Sequence, residues 1–214
     1  METIQLFLQY ILHIDTYLIS FVSTYGALTY LILFAIIFCE TGLVVTPFLP
    51  GDSLLFAAGS IAASASHALD IQILFILLTA ASILGNKVNY LVGRSIGPKV
   101  FTAEKSWLLN KKHLQEAHQF HEKHGGKTII LARYLPIIRT FAPFVAGVGY
   151  MNPKEFALYN ILSAILWVGS LLAAGYFFGS LPIIRDNFSI VVYGIIILSI
   201  LPPFAAFLYR KTCR

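Results

Sequence analysis

Charge is what this 214-residue chain has least of. Only 12% of its residues are Asp, Glu, Lys or Arg, about half the share usual in a soluble domain. Residues 16–39, 53–69, 156–184 and 187–209 hold none at all. A membrane-crossing helix needs roughly 20 apolar residues, and the first and the last two of these runs are long enough. With 57% hydrophobic residues and a mean hydropathy of +0.77, the composition excludes an ordinary soluble domain. It implies an all-α integral membrane protein built as one membrane domain over 1–214. Lys and Arg are missing from residues 1–22, so the basic start of a cleavable signal peptide is absent. Cysteine is scarce. Cys39 lies in apolar sequence and Cys213 in a basic tail, far apart and without metal-ligand spacing, which leaves neither a disulfide framework nor a metal site. Histidine is absent from residues 125–214, and there is no G-x-S-x-G, P-loop or kinase motif. These absences argue against an enzyme and call for no cofactor. The net charge of +5 comes from basic residues flanking apolar segments, where they set orientation rather than bind nucleic acid.

What is present is a series of apolar segments, two of them broken. Gln5, Gln9, His13, Thr16 and Ser20 recur at helical steps, a polar stripe expected of an amphipathic helix over 1–22 that lies in the interface or packs on the bundle. Residues 25–64 form a first span and a broken segment, interrupted by Pro47, Pro50 and Gly51. A membrane helix is expected over 71–96. Residues 97–127 are the long polar stretch, with six lysines. Residues 128–151 are apolar again but carry Arg133, Pro136, Arg139, Pro143 and Gly147. Spans over 154–178 and 187–209 and a basic tail, 210–214, complete the chain. The basic loop and tail both belong on the cytoplasmic side. The two last spans then connect correctly only if 128–151 enters and leaves the membrane on one side, as a re-entrant hairpin.

The two broken segments echo each other. Both "DSLLFAAG" from Asp52 and "RTFAPFVAG" from Arg139 place a charge ahead of Phe-x-Ala-Gly, and each leads into a membrane helix. Gly/Pro-interrupted apolar segments in corresponding halves point to a transporter site between inverted repeats. The charges sit on the breaks: Glu40 and Asp52 on one, Arg133 and Arg139 on the other. An ion at the bilayer centre costs at least ~2.5–3.5 kcal/mol, so carboxylates near guanidiniums are the economical arrangement. Arginine forks match phosphate in a bidentate way. Carboxylates at membrane depth take up protons readily, because desolvation disfavours their charged form. Protonation of Glu40 and Asp52 would release Arg133 and Arg139 for an anionic head group. A permanent salt-bridge cluster that only holds the segments together is the structural alternative.

The sequence "HLQEAHQFHEKH" contains no H-E-x-x-H and lies in the polar loop. It is a solvated helix capped at Gly125-Gly126 rather than a metal site.

"ETGLVVTPFLPGDSLLFAAG", "GNKVNYLVGRSIG", "HGGKTIILARYLPIIRTFAPFVAGVGYM" and "FALYNILSAILW" together resemble the DedA family of bacterial inner-membrane proteins over nearly the whole chain. The eukaryotic lipid scramblases of the same superfamily share the hairpin pattern more distantly. The resemblance implies a helical bundle with two opposed re-entrant hairpins. It also implies a role in membrane and envelope homeostasis that depends on the proton-motive force, with undecaprenyl phosphate as the lipid carried. It makes Glu40, Asp52, Arg133 and Arg139 the functional residues. Asn89, Tyr90, Arg94 and Asn160 match the family pattern. Asn160 is expected to bond one helix to another, and Arg94 to anchor orientation. Where many members carry an acid, this chain has Asn86, which cannot titrate, and Ser163 replaces a common glycine. The expected partners are protons and a polyprenyl phosphate, with association of copies left open. A small-ion antiporter and a membrane scaffold are the alternatives to lipid transport.

Overall fold

The computed structural model describes residues 24–43, 51–63, 69–102, 125–134 and 136–179, with Leu181, Val191 and Gly194. These residues form α1 (Ala27–Gly42), α2 (Gly51–Ala63), α3 (Ile71–Thr102), α4 (Lys127–Ala132), α5 (Pro136–Val148) and α6 (Pro153–Phe178). No strand occurs among the described residues. The expected N-terminal helix 1–22, the breaks at Pro47 and Pro50, most of the loop 97–127, the last span 187–209 and the tail 210–214 lie outside them.

Local chemistry explains where the long helices start. Asp70 caps α3: its Oδ1 accepts from the N–H groups of Gln72 (2.7 Å) and Ile73 (3.1 Å). Asn152 caps α6 by accepting from the Lys154 N–H at 2.9 Å. Pro153 follows at the first helical position, where its missing N–H costs nothing, and Glu155 adds the acid that the helix start favours. α3 over Ile71–Ser95 and α6 are long and apolar enough to cross a membrane. α6 is also inside-out in polarity. It exposes Leu158, Ile161, Leu162, Ile165 and Leu166 while burying Asn160 and Ser163. That arrangement suits hydrocarbon rather than water as the surrounding solvent. The protein is an all-helical membrane protein.

The chain divides into two compact units, one comprising Met1–Ala35, Pro50–Leu78 and Val168–Arg214, the other Ile36–Leu49 and Thr79–Trp167. In the first, a Cβ added to Gly59 of α2 would strike the Leu172 carbonyl of α6, and one on Gly175 would strike the Phe56 carbonyl. In the second, a Cβ on Gly147 of α5 would strike the Tyr90 carbonyl of α3, and one on Gly93 would strike that of Phe144. The pattern is the same in each. A Phe-x-x-Gly on a 13-residue helix lies backbone to backbone against a long helix whose glycine is three residues past the point of contact. Without a hydrophobic force between helices in lipid, such close small-residue contacts are what hold them together.

The second unit has a further clamp at the end of α5. The Met151 N–H bonds to the Ala146 carbonyl (3.0 Å) and the Tyr150 N–H to that of Gly147 (3.1 Å), with Tyr150 at φ +53°. This is a Schellman close with tyrosine at the left-handed position usually held by glycine. Its hydrophobic partner is present, since Met151 packs with Ala146, Tyr90, Ile129 and Phe156. The Tyr90 hydroxyl donates to the Met151 carbonyl at 2.6 Å, and its ring stacks on Phe156.

Candidate functional site

The site lies within the second unit and is assembled by α1, α3, α4, α5 and α6. Glu40 sits in the last turn of α1 and Arg139 is the fourth residue of α5. Each is at the end of its helix where the macrodipole disfavours its sign, by about 0.3–1 kcal/mol. Their contact offsets this: Arg139 Nη2 donates to Glu40 Oε1 in a buried ion pair, with the Glu40 side chain wholly inaccessible.

Asn89 of α3 holds both helices in register. Its Nδ2 donates to the Thr140 carbonyl of α5 (2.7 Å) and to the Thr41 carbonyl of α1 (3.3 Å). The Thr41 carbonyl is one of the last four of its helix and has no helical donor of its own. Gly42 and Gly85 meet at the same crossing, where a side chain on Gly85 would collide with Thr41 and with the α1 backbone. Pro143 inside α5 withholds the N–H that would serve the Arg139 carbonyl.

Arg133 takes a different environment. It caps the C-terminus of α4, the favourable end for a cation, and is 4% exposed. Among the described residues no carboxylate pairs with it. Its Nη1 donates to Ser163 Oγ at 2.8 Å and, more weakly, to Asn160 Oδ1 at 3.4 Å. Asn160 Oδ1 also accepts from Asn86 Nδ2 (3.0 Å), and its own Nδ2 donates to the Ile83 carbonyl (3.0 Å). Asn160 therefore bonds α6 to α3, as expected from sequence, and also touches a site arginine. Both guanidiniums lie over the ring of Trp167, at 5.2 Å for Arg133 and 5.3 Å for Arg139.

These groups surround a cavity lined by Glu40, Thr41, Asn86, Arg133, Arg139 and Trp167, among others. About 10 Å³ is open to the centre of a water-sized sphere, which is room for one water. Glu40 Oε2 and Arg133 Nη2 are buried without a hydrogen-bond partner among the described residues. Among the described residues of the lining, two guanidiniums and one carboxylate give one formal positive charge, and two polar atoms have no hydrogen-bond partner. That is the chemistry of an anion or proton site in a dry setting.

Glu40, Arg133 and Arg139 come together. Asp52 stands in the first turn of α2, half-buried, within the other unit. Gly51 begins α2 and is buried, while Pro136 is the first residue of α5. Arg94 lies away from the cavity, donating to the Tyr90 hydroxyl at 2.9 Å and lying over Tyr150. Sequence reasoning passed over Trp167 and gave Ser163 no role. The available signal was spacing: Asn160, Ser163 and Trp167 fall three and four residues apart, on one buried face of α6.

A VTT-domain family model matches residues 49–177. Protein DedA of Escherichia coli K12 is 52% identical over 202 residues, covering 94% of this chain and 92% of that protein. An uncharacterized membrane protein of Mycobacterium leprae is 43% identical, over 80% of this chain and 76% of its own. Inner membrane protein YqjA of Escherichia coli K12 is 37% identical, over 72% and 69%. No solved structure matches the chain.

Proposed function

The chain belongs to the DedA family of VTT-domain membrane proteins, and on that premise we propose that it is a proton-linked transporter of an anionic membrane lipid. In this reading Arg133 and Arg139 receive the lipid phosphate, and Glu40 and Asp52 exchange protons. The observation that carries it is the unequal state of the two buried arginines. Arg139 is held by a carboxylate, whereas among the described residues Arg133 is held by neutral groups and keeps one donor unused. An anion entering the cavity meets Arg133 directly and competes with Glu40 for Arg139. Protonation of Glu40 removes that competitor.

The re-entrant reading is supported by length. α4 and α5, at 6 and 13 residues, reach ~9 and ~20 Å, and α2, also 13 residues, reaches ~20 Å, against a hydrocarbon core of ~30 Å. The repeated Phe-x-x-Gly contact in the two units supports two equivalent broken segments, taken here as opposed hairpins of an inverted repeat. One water-sized cavity does not admit a phosphate, so in this reading the arrangement is a closed one and loading requires the hairpins to part. The proposed lipid is undecaprenyl phosphate. The proposed location is the inner membrane, with 97–127 and the C-terminus cytoplasmic.

The test is transbilayer movement of a fluorescent polyprenyl phosphate in proteoliposomes, with and without a pH gradient. Movement should need Arg139 as arginine, because lysine keeps the charge but loses the fork. Asp52→Asn should fold and move lipid regardless of the gradient. Absence of movement in the unaltered protein, or unchanged movement in Arg139→Lys, overturns the proposal. The small cavity itself favours one second reading, a proton or small-ion antiporter. Gradient-driven ion flux without lipid movement would establish it instead.

A further inference from the structure

We infer that Trp167 is a positioning residue shared by both site arginines, a neutral ring that holds both guanidiniums without occupying the donors an anion needs. The inference rests on the anion-site reading above and adds to it a residue that the charge pattern does not reveal.

Two like charges in a buried cavity repel strongly, because the local dielectric is low. Glu40 neutralises only one of them. Trp167 is 2% exposed, and both guanidinium carbons lie over its ring at nearly equal distances, 5.2 and 5.3 Å. These are within cation–π range, and indole is the best of the aromatic partners. A second carboxylate in this place would compensate the charge equally well, but it would claim the same N–H groups that recognise an anion, and an incoming phosphate would have to displace it. The π-face attracts the cation as a whole and leaves the hydrogen-bonding fork for the ligand.

The placement on α6 agrees with this. Ser163 and Asn160 take Nη1 of Arg133 from the same helix face, leaving Nη2 unused in the cavity. One helix thus holds Arg133 with two neutral acceptors and sets one ring against both guanidiniums. Phenylalanine would keep a smaller, weaker platform, and leucine would keep volume without the quadrupole.

The chain has two tryptophans, Trp107 and Trp167, so Trp107→Phe leaves Trp167 as the only indole reporter. The experiment titrates this protein in detergent with farnesyl phosphate, and with farnesol as the uncharged control. Binding is measured independently by equilibrium dialysis of radiolabelled ligand. A saturable change in Trp167 emission with the phosphate alone, at the concentration range of dialysis binding, is the expected result. In the otherwise unaltered chain, Trp167→Leu should weaken phosphate binding by about 5- to 30-fold, with Trp167→Phe in between. If phosphate binds but Trp167 emission does not move, and both variants bind as the unaltered chain does, the platform is refuted while the anion site stands. If no phosphate binds the unaltered protein, the anion-site reading fails and the platform with it. Should Trp167→Leu not fold, the emission titration and Trp167→Phe still decide.

Discussion

Replacing Glu40 with glutamine removes one charge of a buried pair and leaves the rest of the side chain in place. The magnitude follows from the geometry. Arg139 and Glu40 are in direct contact, with 9% and 0% of their side chains exposed. Two unit charges about 4 Å apart, at an effective dielectric near 20, interact by about 4 kcal/mol. Removing one partner of such a pair costs about 3–5 kcal/mol, because the other is left uncompensated. Trp167 and a neutral acceptor at position 40 soften the loss, which puts the expected cost near 3 kcal/mol. For a chain of this length that corresponds to a fall in Tm of about 6–12 °C. The assay is thermal unfolding in detergent for Glu40→Gln, Arg139→Gln and the double variant. The double variant should recover most of the loss, since neither charge is then stranded. Glu40→Gln should also bind farnesyl phosphate more tightly, because the competitor for Arg139 is gone. A shift in Tm below 2 °C in both single variants would refute the buried pair. Recovered stability together with weakened phosphate binding in Glu40→Gln would refute competition and favour a purely structural cluster.

Asn89→Leu should lower Tm by about 5–15 °C, because the buried Thr41 carbonyl loses its bond to the amide and the Thr140 carbonyl loses one of its donors. Its recovery by no nearby apolar substitution distinguishes lost hydrogen bonds from lost volume. Gly147→Ala and Gly93→Ala should each destabilise by about 1–3 kcal/mol in denaturant or thermal unfolding, since the added methyl meets backbone of the facing helix. Their double variant should cost less than the sum, as one separation of α3 from α5 relieves both. At position 150, φ +53° favours glycine, so Tyr150→Gly should hold or raise Tm. Tyr150→Val should lower it by the equivalent of about 1–2 kcal/mol, and equal Tm values for the two would refute the strained close.

Much of this was legible in the chain because the relevant signals are exceptions. Glu40, Arg133 and Arg139 stand out in apolar sequence, and a charge in such a setting needs a reason. The starts of α3 and α6 were equally readable at Asp70 and at Asn152-Pro153, where cap and proline act within one turn. Ser163 and Trp167 were not legible in the same way. A serine and a tryptophan in a membrane helix are ordinary, and only their common face with Asn160 sets them apart. Asn86, set aside for lacking a proton to exchange, turns out to bond Asn160 and so to stand one residue away from Arg133.

Composition and spacing by themselves determined that this is a helical membrane protein, that an apolar segment breaks at Pro136, and which charged side chains must find partners. These depend on transfer from water to hydrocarbon and on local backbone chemistry, both properties of short stretches. Only the tertiary structure decided that Arg139 takes Glu40 while Arg133 takes Ser163 and Asn160. That choice joins residues 99 positions apart in one case and 30 in the other. It turns on ångström differences in helix register, set by glycine contacts and by the Asn89 amide, because ion pairs and hydrogen bonds fall away over distances that no linear pattern records.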